Sequence, residues 1–252
     1  MNQKNRNLTI THLSFSFASG SSFFADISAT FAAGNIHGIV GKNGSGKSTL
    51  FRILQGNISR GETLGGLLEI DGISIDLKDP TQRKQCNRHI KAVVQNIDEM
   101  VVPICTVQQN LQLANLPLFP RLARLPHIHS FEGILNKARI DLSSYVHQLS
   151  GGQRQILALL MALQQNAPVL LLDEPTSALD MQNARMVMEC VNVLAQTKQL
   201  VVVIISHDRE LVKECVTGTI FEIQQQENGQ RKLQQIDAQC LPVYAKATSG
   251  CT

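Results

Sequence analysis

The stretch Gly41–Thr49 reads GKNGSGKST, with four free positions between Gly41 and Gly46, then Lys47 and Ser48. That spacing is the pattern of a phosphate-binding loop. Gly41, Gly44 and Gly46 allow the backbone to turn its N–H groups inward around phosphate oxygens. A helix starting at Ser48 adds partial positive charge at its N-terminus. Lys47 supplies a full charge to the terminal phosphates, and Ser48 places a hydroxyl on Mg2+. Asn43, Ser45 and Thr49 complete the set of residues expected to face the nucleotide. Taken alone, the loop says only that a nucleotide binds, because kinases and GTPases carry it too.

A second group of reactive side chains lies in Pro168–Asp180, PVLLLDEPTSALD. An apolar strand there delivers Asp173 to its C-terminal end, where ligands sit in open α/β sheets. Asp173 is the expected partner of Mg2+, directly or one layer out. Glu174 follows and is expected on the other side of the strand end. Two adjacent acids at the end of an apolar strand are costly unless a cation or a water needs them. Glu174 is therefore expected to orient or deprotonate the attacking water.

Both groups must be held by a sheet. Leu8–Phe17 and Phe24–Ala32 largely alternate polar with apolar residues around ASGSS, which predicts an antiparallel pair. Ile36–Val40 is a short strand ending in the glycine-rich loop, and the helical pattern from Ser48 runs to Leu54. Leu67–Ile70 before Asp71-Gly72, Lys91–Gln95, Pro168–Pro175, Leu200–His207 and Thr219–Ile223 are further strands. Asn96–Gln148 has no clear strand and is rich in Leu, Pro and His, so it is expected to be a mostly helical lobe. Helices are expected from the end of LSGGQ to about Gln165 and from Met181 to Ala195. Apolar strands alternating with helices indicate a parallel sheet covered on both faces.

Between the two reactive groups, Leu149–Gln153 reads LSGGQ at the start of a helix. With LSGGQ in order between the phosphate loop and LLLDEPTSALD, the chain resembles the ATP-binding subunit of ABC transporters, from about Leu8 to Ile223. The resemblance implies an α/β fold: a P-loop NTPase core with a mostly parallel sheet, an N-terminal antiparallel β subdomain and an inserted helical subdomain. Residues 1–95 and 165–223 would be the nucleotide-binding core, 96–164 the helical signature lobe, and 224–252 a peripheral hairpin and tail. Gln95, in VVQN, matches the glutamine that in this family contacts Mg2+ and the water and joins the lobe to the core. Ser177–Asp180 matches the loop that crosses to the partner subunit. His207, in IISHD, matches the histidine that contacts the γ-phosphate. Phe17 matches the aromatic that stacks on adenine, with Phe15 as the rival. Ser150, Gly151, Gly152 and Gln153 would contact the ATP of a second, head-to-tail ATPase subunit.

The resemblance also implies ATP and Mg2+, ATP hydrolysis coupled to transport, and separate transmembrane permease subunits, with a solute-binding protein if the system imports. The segment SSYVHQ before the signature lacks the acidic-glycine pattern common in exporters, which leans toward import. LLMAL stands where the family often has a basic residue in ARAL, at a position with no assigned catalytic role. The alternative is a non-transport ABC ATPase acting on nucleic acid or the ribosome. No sustained heptads and no second cassette support it. No basic run exceeds two residues, the net charge is +3 and aromatics are 4%, so a nucleic-acid coat is not expected. A switch without turnover would suit a chain lacking Glu174 or His207, and both are present. Six scattered cysteines without a CxxC pair read as reduced thiols. The N-terminal stretch has no continuous apolar core, so no signal peptide is expected. No apolar run approaches the ~20 residues of a bilayer span, and the resemblance implies a cytoplasmic chain, peripheral on the inner face of the membrane.

Overall fold

In the computed structural model, residues 6–94, 96–114, 131–164, 167–177 and 179–237 are described. β1 (Leu8–Ser16) and β2 (Ser22–Phe31) pair antiparallel from Leu8 opposite Phe31 to Ser16 opposite Ser22. Leu8, Ile10, Leu13 and Phe15 point into the core, and a bulge shifts the register between Ile10 and Leu13. β4 (Thr63–Ile70) joins the other edge of β1 and turns back as β5 (Ile73–Asp76). Asp71 (φ 53°) and Gly72 (φ 78°) make that turn. Positive φ at both central residues suits the twist of a hairpin.

β3 (Asn35–Val40), β6 (Ile90–Val93), β7 (Val169–Asp173) and β8 (Val201–Ile205) form the parallel part in the order β3-β8-β7-β6. All five residues of β8 are buried, as expected of a strand covered on both faces. α1 (Lys47–Leu54) follows β3 and packs its apolar side with the antiparallel strands. On the other face lie α6 (Gly151–Leu163) and α7 (Met181–Lys198). Of the expected helical lobe, α4 (Val107–Leu113), α5 (Glu132–Lys137) and α6 are described. α4 starts at a capping box in which Thr106 and Gln109 exchange side-chain and backbone hydrogen bonds.

Three short helices exceed the expectation: α2 (Pro80–Arg83), α3 (Cys86–His89) and α8 (Arg209–Cys215). Two have signals in their caps. Asp79 accepts from Thr81 N ahead of Pro80, and Asp208 accepts from the Glu210 and Leu211 amides.

The terminal hairpin is a correction. β9 (Ile220–Gln225) pairs parallel with β3 and turns into β10 (Arg231–Ile236), but this hairpin is not peripheral. β10 sits between β9 and β2, bridging Arg231 to Phe24, and joins the antiparallel strands to the parallel core in one ten-stranded order. Its glutamines lie at the surface while its backbone pairs on both edges, so composition alone conceals its central place. The expected tail lies outside the described residues. The four cysteines among the described residues are free, and burial pushes the Cys86 thiol up to about 11.

Candidate active site

The C-terminal ends of β3, β7 and β8 open onto a cleft of about 610 Å³. Its lining comprises Phe17, Phe23, Asn43, Gly44, Gly46, Lys47, Ser48, Thr49, Asp173, Glu174 and His207. Reactive residues separated by more than a hundred positions in sequence thus meet in one place.

Gly44 (φ 76°) and Gly46 (φ 108°) occupy conformations that L side chains rarely adopt, and Gly46 caps α1. Lys47 donates from Nζ to the carbonyls of Gly41 (2.7 Å) and Lys42 (3.1 Å). Burial lowers its pKa, while Glu174 and then Asp173 act to raise it. For Asp173 the order of causes is burial and then Glu174, both raising its pKa, with Lys47 opposing. Two carboxylates and one buried ammonium leave the cleft short of positive charge.

That chemistry fits a nucleotide with Mg2+. Ser45 Oγ is buried with no hydrogen-bond partner, and a Cβ on Gly41 would lie 2.6 Å from it. The loop therefore holds an unmet polar group inside a cradle that any larger residue would fill. Among the described residues no cluster of three or more His, Cys, Asp or Glu could hold a metal by itself. Mg2+ does not require one, because it is commonly held by one or two carboxylates together with substrate phosphates.

Glu174 is built for position. Its φ is 48°, unusual for a non-glycine residue, and its amide donates to Ile205 O at 2.9 Å. Its carbonyl accepts from the amide and the hydroxyl of Ser177, both at 3.2 Å. Asp173 lies opposite Ile205 in the β7–β8 ladder, so the chain leaving β8 passes directly alongside. Ser206 Oγ donates to Glu174 Oε2 at 3.0 Å, and the His207 amide donates to Oε1 at 2.9 Å. His207 Nδ1 is 2.7 Å from the same oxygen. With the carboxylate ionised, Nδ1 carries the proton and Nε2 is left as the second ring nitrogen. The Glu174 side chain is 12% exposed and that of His207 63%. The carboxylate is thus held by a three-donor grip, and the imidazole stands at the cleft wall.

Phe17 is half-buried and lines the cleft, whereas Phe15 is 1% exposed and packed in the core. Gln95 and Ala178 lie outside the described residues. Sequence reasoning missed Phe23 and Ser206. Phe23 belongs to the apolar Phe23–Phe24 pair, of which only one member can face the core of a strand. Ser206 is 1% exposed at the end of an all-apolar strand, a place where a lone hydroxyl needs a partner.

The signature residues are absent from the lining of this cleft. Ser150 caps α6, accepting from Gln153 N while donating its own amide to Gln153 Oε1. Gln153 Nε2 donates to Ala138 O and Arg139 O, so its amide is engaged inside the lobe. A Cβ on Gly152 would come within 3.1 Å of the Asn183 side chain. Asp180 holds Asn183 through its amide and Nδ2, both at 2.8 Å. Gly152 is therefore small because α7 starts against it.

Residues 24–177 match the sequence profile of the ABC transporter family. The chain belongs to the ABC transporter family. Within that family it is similar to the methionine import ATP-binding protein MetN of Sodalis glossinidius, with 33% identity over 215 residues, 82% of this chain and 60% of the relative. MetN 2 of Enterococcus faecalis is 33% identical over 202 residues, 78% of this chain and 56% of the relative. The ABC chain thus spans little more than half the length of these curated relatives. Among solved structures, its fold is shared by CbiO1 of Clostridium perfringens, part of the ABC transporter complex CbiONQ, with TM-score 0.75, 23% identity, and 92% and 88% of the two chains covered. It is also shared by the dimeric ABC transporter cassette MJ0796, with TM-score 0.67, 22% identity and coverage of 92% and 98%. These likenesses establish the ABC cassette fold described above.

Proposed function

We propose that the chain is an ATP-binding and ATP-hydrolysing subunit that powers solute import through separate transmembrane subunits. The observation that carries the chemistry is the single cleft uniting Lys47, Ser48, Asp173, Glu174 and His207. Lys47 and the loop amides bind the phosphates. Ser48 and Asp173, with Gln95 by resemblance, would hold Mg2+, which supplies charge neutralisation at the transferred phosphate. Glu174 orients the attacking water and takes its proton on a carboxylate oxygen. His207 stands beside it to meet the γ-phosphate. Phe17 offers its face to the base. Since Ser150–Gly152 do not line the same chain's cleft, a second, head-to-tail ATPase subunit would supply them. The dimeric cassette among the structural neighbours supports a second subunit.

Import is supported by the relatives, whose names are those of methionine import proteins. Among the described residues no helix is long and apolar enough to cross a membrane; in this reading transmembrane subunits carry the solute. We place the cassette on the inner face of the cell membrane, bound to those chains. Two experiments test this function. Glu174→Gln should keep ATP binding, lose nearly all turnover and accumulate an ATP-bound dimer; wild-type turnover would remove Glu174 from its role. Affinity purification from native membranes should recover multi-span membrane proteins together with a solute-binding protein. Ribosomes or DNA without them would instead favour the non-transport alternative.

A further inference from the structure

The phenyl rings of Phe17 and Phe23 form the carbon-only part of the cleft lining. Every other lining residue belongs to the phosphate loop, its helix, the end of β7 or His207. A nucleotide has one flat aromatic part, so its base belongs against these rings. The rings meet edge to face at 4.8 Å and 75°, so the setting of one constrains the other.

Phe23 is held from several sides. Its edge points at the phosphate loop, where a Cβ on Gly46 would lie 2.6 Å from Cε1. Phe24 packs against it edge to face at 4.8 Å. Over its ring sits the guanidinium of Arg231, with Cζ 4.0 Å from the centroid. Arg231 comes from β10, and its backbone bridges to Phe24. Its Nη1 donates to Gly229 O at 2.8 Å, yet Nε is buried without a partner. A guanidinium that leaves a buried donor unmet is not placed by hydrogen bonding alone. The contact with the ring is what its position satisfies.

We propose that Arg231 is a positioning residue of the nucleotide cleft: from the β9–β10 hairpin it holds Phe23 as the wall that sets Phe17 at the base end. This rests on the nucleotide-binding function above. It gives the hairpin a part in nucleotide affinity, although no residue of the hairpin lines the cleft.

The test is titration of the purified full chain, in Mg2+, with ATP and separately with inorganic tripolyphosphate, which has no base. Arg231→Met keeps much of the apolar stem and removes the charge. It should weaken ATP about two- to fivefold, the value of one cation–π contact, and leave tripolyphosphate unchanged. Arg231→Lys, which keeps the cation, should restore most of the ATP affinity. Unchanged ATP affinity in Arg231→Met, or equal losses for both ligands, would overturn the proposal. If Arg231→Met does not fold, Phe23→Leu provides the same readout, with the same selective loss expected. Failure of the nucleotide function itself looks different: the wild type would then bind ATP no better than Lys47→Ala.

Discussion

Ser206 offers the sharpest check on how the carboxylate of Glu174, the proposed catalytic group, is held. Its hydroxyl donates to Glu174 Oε2 at 3.0 Å and accepts from the Asp208 amide at 3.0 Å. Ser206→Ala removes one oxygen from a 1%-exposed site and strands two groups. The Asp208 amide is near the surface, where water replaces the bond. Glu174 is only 12% exposed, so water replaces its lost donor poorly. A hydrogen bond to a charged group contributes about 1.5–3 kcal/mol. If that energy serves to hold the carboxylate in its reacting pose, turnover falls by roughly 10- to 100-fold. Stability should fall as well, by about 1–3 kcal/mol, at ~2–4 °C in Tm per kcal/mol for a chain of this size. The assay is steady-state ATP hydrolysis beside ATP titration. Ser206→Ala should lose kcat with ATP affinity within about twofold, because Ser206 itself is not part of the cleft lining. Ser206→Thr, which restores the hydroxyl, should recover most of the rate. A Ser206→Ala enzyme with wild-type kcat, in a preparation where Glu174→Gln is inactive, would refute the idea that this bond positions Glu174.

Two further outcomes follow from the same cleft. Gly46→Ala would set a Cβ 2.6 Å from Phe23 Cε1 at a residue with φ 108°. Backbone strain of about 1–2 kcal/mol and overpacking of about 1–3 kcal/mol should lower Tm by several degrees and weaken ATP; thermal unfolding indistinguishable from wild type would contradict that geometry. For Asp173, burial first and then Glu174 hold the carboxyl above its ordinary range against Lys47. A raised folded pKa means that stability is lost as pH rises from the ordinary carboxylate value through the raised one. Ligand-free Asp173→Asn should therefore melt above wild type at neutral pH, the gap closing as pH falls toward ~3.9. It should also lose Mg2+-dependent turnover, and a lower melting point at neutral pH would refute the sign.

What the sequence determined by itself was the chemistry and the local elements that carry it. Gly41–Thr49 states its own mechanism, because glycine spacing and a following lysine are properties of a continuous segment. The apolar run before Asp173 and Glu174 marks a strand buried on both faces, and its end was legible as a site. LSGGQ was legible as a helix start, since Ser150 and Gln153 cap α6 from within four residues. Periodicity, however, records only that one side of an element faces apolar surroundings; it does not name the neighbour. The glutamines of β10 obscured the place of an expected hairpin strand, whose backbone joins the two halves of the sheet. Gly152 is small because Asn183 lies against it, and no local pattern contains both. Likewise Ser206 reaches Glu174 only because β8 lies beside β7, and Arg231 reaches Phe23 only because β10 enters the sheet next to β2. These contacts are made by the pairing of distant strands, and strand order is chosen by the burial of the whole sheet, which is why only the tertiary structure decided them.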